Sequence, residues 1–227
     1  MAVMVVSNES TGDLGYLAER LRAHELGEVH ACFRENPDAW PDPADFDLLI
    51  TMGSLDSVTE EDSAGPREHE ERLVHRAVGA AVPLLAICYG AHILSLTLNA
   101  SGRRAPKPEA GFVVVDTSDP DLVPPGPWLT WHTDLLTVPA GGTVIARTPT
   151  APQAYRYGRC LAVQFHPDLT PRELGKWIDA HGDWLQEQGI DTDSLLDDAH
   201  QREQALRERA HTLFDAFWTR IAQDVRV

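Results

Sequence analysis

The chain contains 227 residues, of which 43% are hydrophobic, and this content is sufficient for one sizeable α/β domain with a buried core. Its 35 acidic and 19 basic side chains give a formal net charge of -16, which would repel nucleic-acid phosphates and anionic membrane surfaces. The three widely spaced cysteines include no Cys-x-x-Cys pair, so a disulfide framework and a structural zinc site are both disfavoured. We therefore expect a cytoplasmic protein without nucleic-acid or membrane partners.

Apolar segments alternate with amphipathic segments along much of the chain, and this alternation predicts a mostly parallel β-sheet with helices on both faces. The strand-like segments are 2–6, 46–51, 82–87, 111–116, 143–146 and 160–165. Helical spacing of apolar residues occurs over 13–24 and 68–82. In such a sheet the ligand-binding residues lie beyond the carboxyl ends of the strands, where Gly53 and Cys88 are expected.

Two later segments have a different character. Prolines between residues 101 and 143 predict loops and short strands, which together form a small β excursion. Residues 194–223 carry apolar side chains at spacings of three and four and predict a long helix on the sheet, beginning at Ser194 with Asp197. A partner-binding helix is the alternative. We expect a single domain over 1–227, with a core over about 1–180 and a helical extension over 190–227.

The most informative motif is residues 86–92 (AICYGAH), where an apolar strand turns into a helix at Cys88. Small residues around a nucleophile are typical of a nucleophile elbow, which exposes the side chain beside the amides of a helix N-terminus. Those amides favour the reactive thiolate form of a cysteine. A buried structural cysteine is the alternative interpretation, since free cysteines are often buried.

A nucleophilic cysteine needs a base, and the base needs a group that orients it. His166 and Asp168 are two apart in extended backbone, where Pro167 disfavours a helix, so both side chains can project from one side of a strand end. A surface His-Pro-Asp turn is the alternative. Gly53 ends another apolar strand and offers either an ordinary turn or an amide that donates to an oxyanion, together with the amide after Cys88.

Five motifs in a fixed order resemble those of the class I glutamine amidotransferase family, in particular its stand-alone members related to the glutaminase domain of GMP synthase. They are residues 52–58 (MGSLDSV), 86–92 (AICYGAH), 108–112 (PEAGF), 131–134 (WHTD) and 164–168 (QFHPD). The resemblance implies a flavodoxin-like, doubly wound fold and a catalytic triad of Cys88, His166 and Asp168. It implies a γ-glutamyl thioester formed from glutamine, with an oxyanion hole at the amides of Gly53 and Tyr89.

Three residues depart from the family pattern. Ala86 replaces a glycine, Asp168 replaces a glutamate, and His92 replaces a glutamine that helps to position the substrate. His92 lies four residues after Cys88 on the predicted helix and therefore shares its face. It can tune the pKa of the thiol, recognise a different substrate, or be a buried histidine satisfied by the backbone. The resemblance also implies that the residues at the 131–134 motif bind substrate, namely His132, Thr133 and Asp134.

The leading hypothesis is a subunit that hydrolyses glutamine and passes ammonia to a synthase subunit in trans. Alternatives are a γ-glutamyl amide hydrolase or peptidase that acts alone, and a catalytically degenerate binding module. A metal site built from His92, His132, His166 and Asp168 is disfavoured because no tight ligand spacing supports it. We expect no metal and no organic cofactor.

Overall fold

The computed structural model describes residues 1–8, 13–60 and 64–224, in which an eight-stranded sheet forms the centre of the molecule. The strands of the chain are β1 (Ala2–Ser7), β2 (Glu28–Phe33), β3 (Leu48–Thr51), β4 (Leu84–Ile87), β5 (Arg104–Val113), β6 (Asp116–Thr117), β7 (Trp128–Asp134), β8 (Thr143–Arg147), β9 (Pro152–Tyr157) and β10 (Cys160–Val163). Five strands pair in parallel in the order β2-β1-β3-β4-β10, and antiparallel pairing adds β9, β8 and β6. This mostly parallel sheet, with the strand order of flavodoxin-like folds, confirms the expected fold class.

Helices cover both faces of the sheet. They are α1 (Tyr16–Ala23), α2 (Ala64–Gly79), α3 (Tyr89–Thr97), α4 (Pro171–Glu187), α5 (Thr192–Gln201) and α6 (Glu203–Phe217). Strand β1 shows why both faces are covered: Val3 and Val5 belong to the core under α1 and α6, whereas Met4 and Val6 belong to the core under α2 and α3. A parallel strand buried on both faces is apolar throughout, because successive side chains point to opposite faces.

A separate two-stranded ribbon of β5 and β7 forms the expected β excursion. The prediction of one strand over 111–116 is wrong: β5 ends at Val113 and β6 begins at Asp116. The ribbon instead reaches back to Arg104, because β5 pairs across it with β7 and places Ala110 opposite Trp131. Strands β2, β7 and β9 and helix α4 were not predicted. Helix α4 crosses the predicted boundary at residue 180.

The C-terminal segment packs on the sheet, as predicted, and buries Leu213, Phe214 and Phe217 in the core. It does not form one helix from Ser194. The Asp191 side chain accepts a hydrogen bond from the Ser194 amide and caps α5, which starts before the predicted position. A break at residue 202 then separates α5 from α6, which ends in a π-helical turn over Trp218–Ala222.

The two other predicted helices differ from α1 and α2 only at their ends. Helix α1 is shorter than the predicted 13–24, and α2 lies three or four residues before the predicted 68–82. Residue Ala81 has a φ of 54°, which terminates the α2 segment before β4. No helix in the described ranges is long and apolar enough to cross a bilayer.

Candidate active site

Cys88 lies at the turn between β4 and α3, where the sequence predicted a nucleophile elbow. Its backbone has φ 50° and ψ -107°, a conformation that strains a residue with a side chain. The amide of Cys88 donates to the carbonyl of Val163 at 2.8 Å and holds this turn against β10. The next residue, Tyr89, begins helix α3, so its amide belongs to the first turn, whose N–H groups lack intrahelical partners. The cysteine side chain therefore sits beside a helix N-terminus.

The His166 ring is buried directly after β10, and its position is fixed from two sides. Its amide donates to the carbonyl of Leu129 in β7 at 2.8 Å. Its Nδ1 lies 3.2 Å from Oδ1 of Asp168, and the edge-on ring of Trp177 packs 5.1 Å from it. The imidazole is thus oriented by a carboxylate, as the two-residue spacing predicted.

Opposing influences act on the protonation of His166. Burial lowers the pKa of the imidazole, but the Asp168 carboxylate, and after it Cys88, raise the pKa, and the net result is a pKa of about 10. Both partners therefore lie close enough to stabilise the imidazolium. A protonated imidazole next to a cysteine favours the thiolate.

Gly53 lies two residues after the end of β3, beside both His166 and Cys88. A Cβ built on Gly53 would lie 2.7 Å from Cε1 of His166 and 3.6 Å from Cβ of Cys88. The first distance is shorter than any real contact, so only glycine fits between the loop and the imidazole. The backbone of Gly53 thus lies beside both the imidazole and the cysteine.

Two further groups approach the Cys88 sulfur. The thiol lies 3.8 Å from the carbonyl oxygen of Trp131, and Nε2 of Gln164 lies 3.7 Å from Sγ. Gln164 was not predicted as a site residue, although it precedes His166 by two positions in extended backbone. Residues two apart in extended backbone point to the same side, so Gln164 and His166 share one side of the strand end. This spacing was the signal available in the sequence.

A cavity of about 240 Å³ opens in front of Cys88. It is lined by Ser54, Leu55, Asp56, Glu60, Cys88, Tyr89, His92, Arg104, Trp131, His132, Thr133, Asp134, His181 and Trp184. The structure therefore brings every residue predicted for substrate binding to one cavity. Gly53 and Asp168 instead line a much smaller cavity of about 30 Å³.

His92 lies in the wall of the larger cavity and is 5% exposed. Burial lowers its pKa to about 4, against the opposing effect of Asp134, so the imidazole is neutral at physiological pH. Within the described part of the chain, Nε2 has no hydrogen-bond partner. The interpretation of His92 as a histidine fully satisfied by the backbone is therefore wrong, because no backbone group of the described residues pairs with this nitrogen.

Asp134 has a different environment, because its carboxylate is already occupied. It accepts hydrogen bonds from the Ser57 hydroxyl at 2.8 and 2.7 Å and from the Val58 amide at 2.9 Å. These bonds tie the loop that follows Gly53 to strand β7. Its neighbour His132 lies 3.2 Å from Glu109 across the ribbon and lowers the pKa of that carboxyl by hydrogen bonding.

Several residues of the cavity were missed because they come from elements that the sequence did not reveal. His181 and Trp184 project from α4, and Arg104 lies at the start of β5. Arg104 is half-exposed and contacts Glu60 at 2.8 Å. The signal for α4 was Thr170 followed by Pro171, a favourable helix start whose threonine caps the amide of Glu173.

A strand-turn-helix cysteine, an imidazole and a carboxylate at the carboxyl edge of a parallel sheet provide the groups that nucleophilic acyl transfer requires. Across the described residues, no group of three or more histidine, cysteine or acidic side chains is arranged to hold a metal ion.

Comparisons with known proteins find similarity to glutamine-hydrolysing synthases and to a glutamine amidotransferase. No family model matches the chain. A GMP synthase [glutamine-hydrolyzing] from Aeropyrum pernix is 32% identical over 104 residues, which cover 42% of this chain and 20% of that protein. A GMP synthase [glutamine-hydrolyzing] from Staphylococcus carnosus is 29% identical over 160 residues, covering 63% of this chain and 30% of that protein. The chain thus matches less than a third of the length of these relatives.

A solved structure extends the similarity over nearly the whole fold. The glutamine amidotransferase from Thermotoga maritima superimposes with a TM-score of 0.83, covers 96% of this chain and 98% of its own, and is 23% identical. The relatives and this shared fold confirm the resemblance to the class I glutamine amidotransferases, and in particular to those of GMP synthases.

Proposed function

We propose that this chain is a glutaminase-type cysteine hydrolase that cleaves the side-chain amide of glutamine. The observation that carries the proposal is the convergence of Cys88, His166 and Asp168 beside a glycine loop, at one edge of a parallel sheet and next to a cavity. The sequence relatives are glutamine-hydrolysing synthases, which supports the choice of glutamine as substrate.

In the first step the Cys88 sulfur attacks the carboxamide carbon of glutamine and forms a tetrahedral oxyanion. The amides of Gly53 and Tyr89 donate hydrogen bonds to this oxygen, because Gly53 lies beside Cys88 and Tyr89 follows it at the start of α3. With a pKa of about 10, His166 already holds the proton of the Cys88 thiol, and it delivers this proton to the nitrogen as the carbon–nitrogen bond breaks. Ammonia leaves, and a γ-glutamyl thioester remains on Cys88.

In the second step water attacks the thioester carbon while His166 accepts a proton from it. The carbon–sulfur bond then breaks, glutamate is released, and the sulfur leaves as a thiolate beside the protonated His166. Asp168 orients the imidazole through the Nδ1 hydrogen bond and stabilises its charged form in both steps. The net reaction consumes glutamine and water and yields glutamate and ammonia.

The cavity wall supplies the groups that hold the substrate. His92 offers an unpartnered Nε2 close to the nucleophile, and His132 and Thr133 line the same wall. Asp134 acts indirectly in this proposal, since its oxygens are engaged by the loop that begins after Gly53. It holds the oxyanion loop in place beside β7.

The ammonia is delivered to an acceptor on a separate synthase subunit. The matched relatives are named as glutamine-hydrolysing GMP synthases, which supports a synthase as the acceptor of the ammonia. A synthase partner is therefore part of the proposal. Mixing the chain with a synthase subunit should increase glutamine turnover and transfer the nitrogen of amide-labelled glutamine to the acceptor.

A second candidate is a γ-glutamyl amide hydrolase that acts without a partner. The cavity favours it, because it extends from Cys88 to His181 and Trp184 of α4 and has room for a substituent on the leaving amine. This candidate predicts higher turnover of N-substituted γ-glutamyl amides than of glutamine, with no stimulation by a synthase.

The deciding experiment measures glutamate and amine release from L-glutamine and from a panel of γ-glutamyl amides. Wild type is compared with Cys88→Ala and with Cys160→Ser, a matched control at a buried cysteine whose pKa burial raises. Turnover should disappear in the first variant and persist in the second. A chain that neither turns over nor forms a Cys88 adduct with any γ-glutamyl compound, alone or with a synthase, would be a binding module instead.

A further inference from the structure

The turn that begins helix α1 touches the main chain of Asp168, although the sequence assigns no chemical role to this turn. The Tyr16 amide donates to the carbonyl oxygen of Asp168 at 3.2 Å. A Cβ built on Gly15 would lie only 1.8 Å from the same oxygen. Gly15 has φ 48° and ψ -126°, which glycine adopts without strain and other residues do not. The close approach therefore depends on a glycine at this position.

The turn is itself anchored on both sides. The side chain of Asp13, which is exposed, accepts a hydrogen bond from the Gly15 amide at 2.9 Å. The flanking Leu14 and Leu17 are buried in the core between α1 and the sheet. The turn that faces the Asp168 main chain is thus held by a local hydrogen bond and by core packing.

The position of this main chain matters because an aspartate is one methylene shorter than a glutamate. Its carboxylate can reach an imidazole only if the backbone is held close to it. The distance from Nδ1 of His166 to Oδ1 of Asp168 is 3.2 Å, at the long end of the hydrogen-bond range. A small outward movement of Asp168 would break this bond, since His166 is fixed separately by Leu129.

We propose that the turn formed by Asp13, Gly15 and Tyr16 is a positioning element that sets the distance between Asp168 and His166. The effect of this turn on kcat rests on the proposed function, whereas its effect on the pKa of the His166 imidazole does not. None of the three residues lines the cavity in front of Cys88. The turn therefore acts on the site through Asp168 and not through direct contact with the substrate.

The test uses Gly15→Ala, with Gly189→Ala as a matched control. Gly189 also has a positive φ, of 80°, but no heavy atom lies within 4 Å of the Cβ that alanine would add. Both variants strain the backbone, and only the first displaces Asp168. Because Gly15→Ala can also impair folding, Asp13→Ala serves as a milder second variant and Asp13→Asn, which keeps the acceptor oxygen, as its rescue.

Two readouts separate positioning from general damage. The first is the NMR titration of the His166 ring, assigned with His166→Asn, in which loss of the carboxylate contact lowers the imidazole pKa from about 10. The second is kcat and KM for the substrate. We expect Gly15→Ala to lower kcat by about tenfold or more with KM unchanged, and Asp13→Ala to do so less strongly. Gly189→Ala and Asp13→Asn should match wild type in both readouts.

A double-mutant cycle completes the test. In an Asp168→Asn background, Gly15→Ala should cause little further loss of kcat, because both changes remove one interaction. Equal losses in both backgrounds, or an unchanged His166 titration in Gly15→Ala and Asp13→Ala, would overturn the proposal. If no γ-glutamyl compound is turned over, the proposed function fails, and the titration still decides whether the turn positions Asp168.

Discussion

Replacing Gly53 with alanine should inactivate the enzyme by displacing His166 without unfolding the protein. The added Cβ would lie 2.7 Å from Cε1 of the imidazole, whereas ordinary contacts begin at 3.4 Å. Gly53 does not have a positive φ, so alanine strains the site through this collision and not through the backbone. Since the loop is tied to β7 through Asp134, we expect the imidazole ring to rotate away, because the bond to Leu129 holds the His166 backbone and not its ring.

The expected loss follows from the size of this movement. Relief of the collision requires a shift of about 0.7 Å between 2.7 and 3.4 Å. A shift of this size away from the carboxylate would stretch the 3.2 Å bond between His166 and Asp168 beyond hydrogen-bond reach. Misplacement of a catalytic group by about 1 Å typically costs about 10²-fold in rate, and we expect a loss of that order in kcat.

The assay is glutamate release from L-glutamine at saturating concentration, with Gly27→Ala as the control. No heavy atom lies within 4 Å of the Cβ that the control would add, and that glycine is far from the cavity lining. Thermal unfolding of both variants should remain within a few degrees of wild type. Activity of Gly53→Ala within twofold of wild type would refute the steric argument and the proposed geometry of the oxyanion loop.

Four further outcomes test other parts of the structure. Asp168→Asn should lower the pKa of His166 below about 10 in an NMR titration and reduce kcat by up to about 10⁴-fold; an unchanged titration would contradict the assignment. Asp134→Ala should loosen the oxyanion loop and lower kcat, seen as faster amide exchange over residues 57–59; unchanged exchange would remove its anchoring role. Burial raises the pKa of Glu70 from 4.5 to about 8. The stability that the folded-state proton on Glu70 contributes is therefore fully present below pH 4.5 and is lost as the pH rises through 8. The free energy of unfolding should therefore fall with pH by up to about 1.4 kcal/mol per unit in this window, and Glu70→Gln should flatten this slope in urea denaturation at pH 5, 6.5 and 8. Phe214→Ala should cost about 3–5 kcal/mol in the same assay, because it empties a fully buried core position; a loss below 1 kcal/mol would contradict its packing.

The principal sheet strands and the candidate triad could be predicted because their signals are local. An apolar run that ends in AICYGAH specifies a strand, a sharp turn and a helix within a dozen residues. The spacing of His166 and Asp168 specifies their common direction by the alternation of extended backbone. Strand β1 and strand β4 were predicted within one or two residues for the same reason.

The ribbon and the C-terminal helices could not be predicted in detail because their bounds depend on distant partners. Strand β5 begins at Arg104, two residues before Pro106, because pairing with β7 compensates for the weak local preference. The predicted long helix is divided near residue 202, because α5 packs against α4 whereas α6 packs against the sheet. Hydrophobic spacing continues across this division and conceals it.

The sequence by itself determined the class of fold, the elbow at Cys88 and the pairing of His166 with Asp168, because short-range periodicity and backbone sterics encode them. Only the tertiary structure decided that Asp134 anchors the loop of Ser57, 77 residues away, and that α4 lines the cavity. It also decided that the start of α1 holds the Asp168 main chain. These contacts join segments that are remote along the chain, and local preferences carry no information about which remote groups will meet.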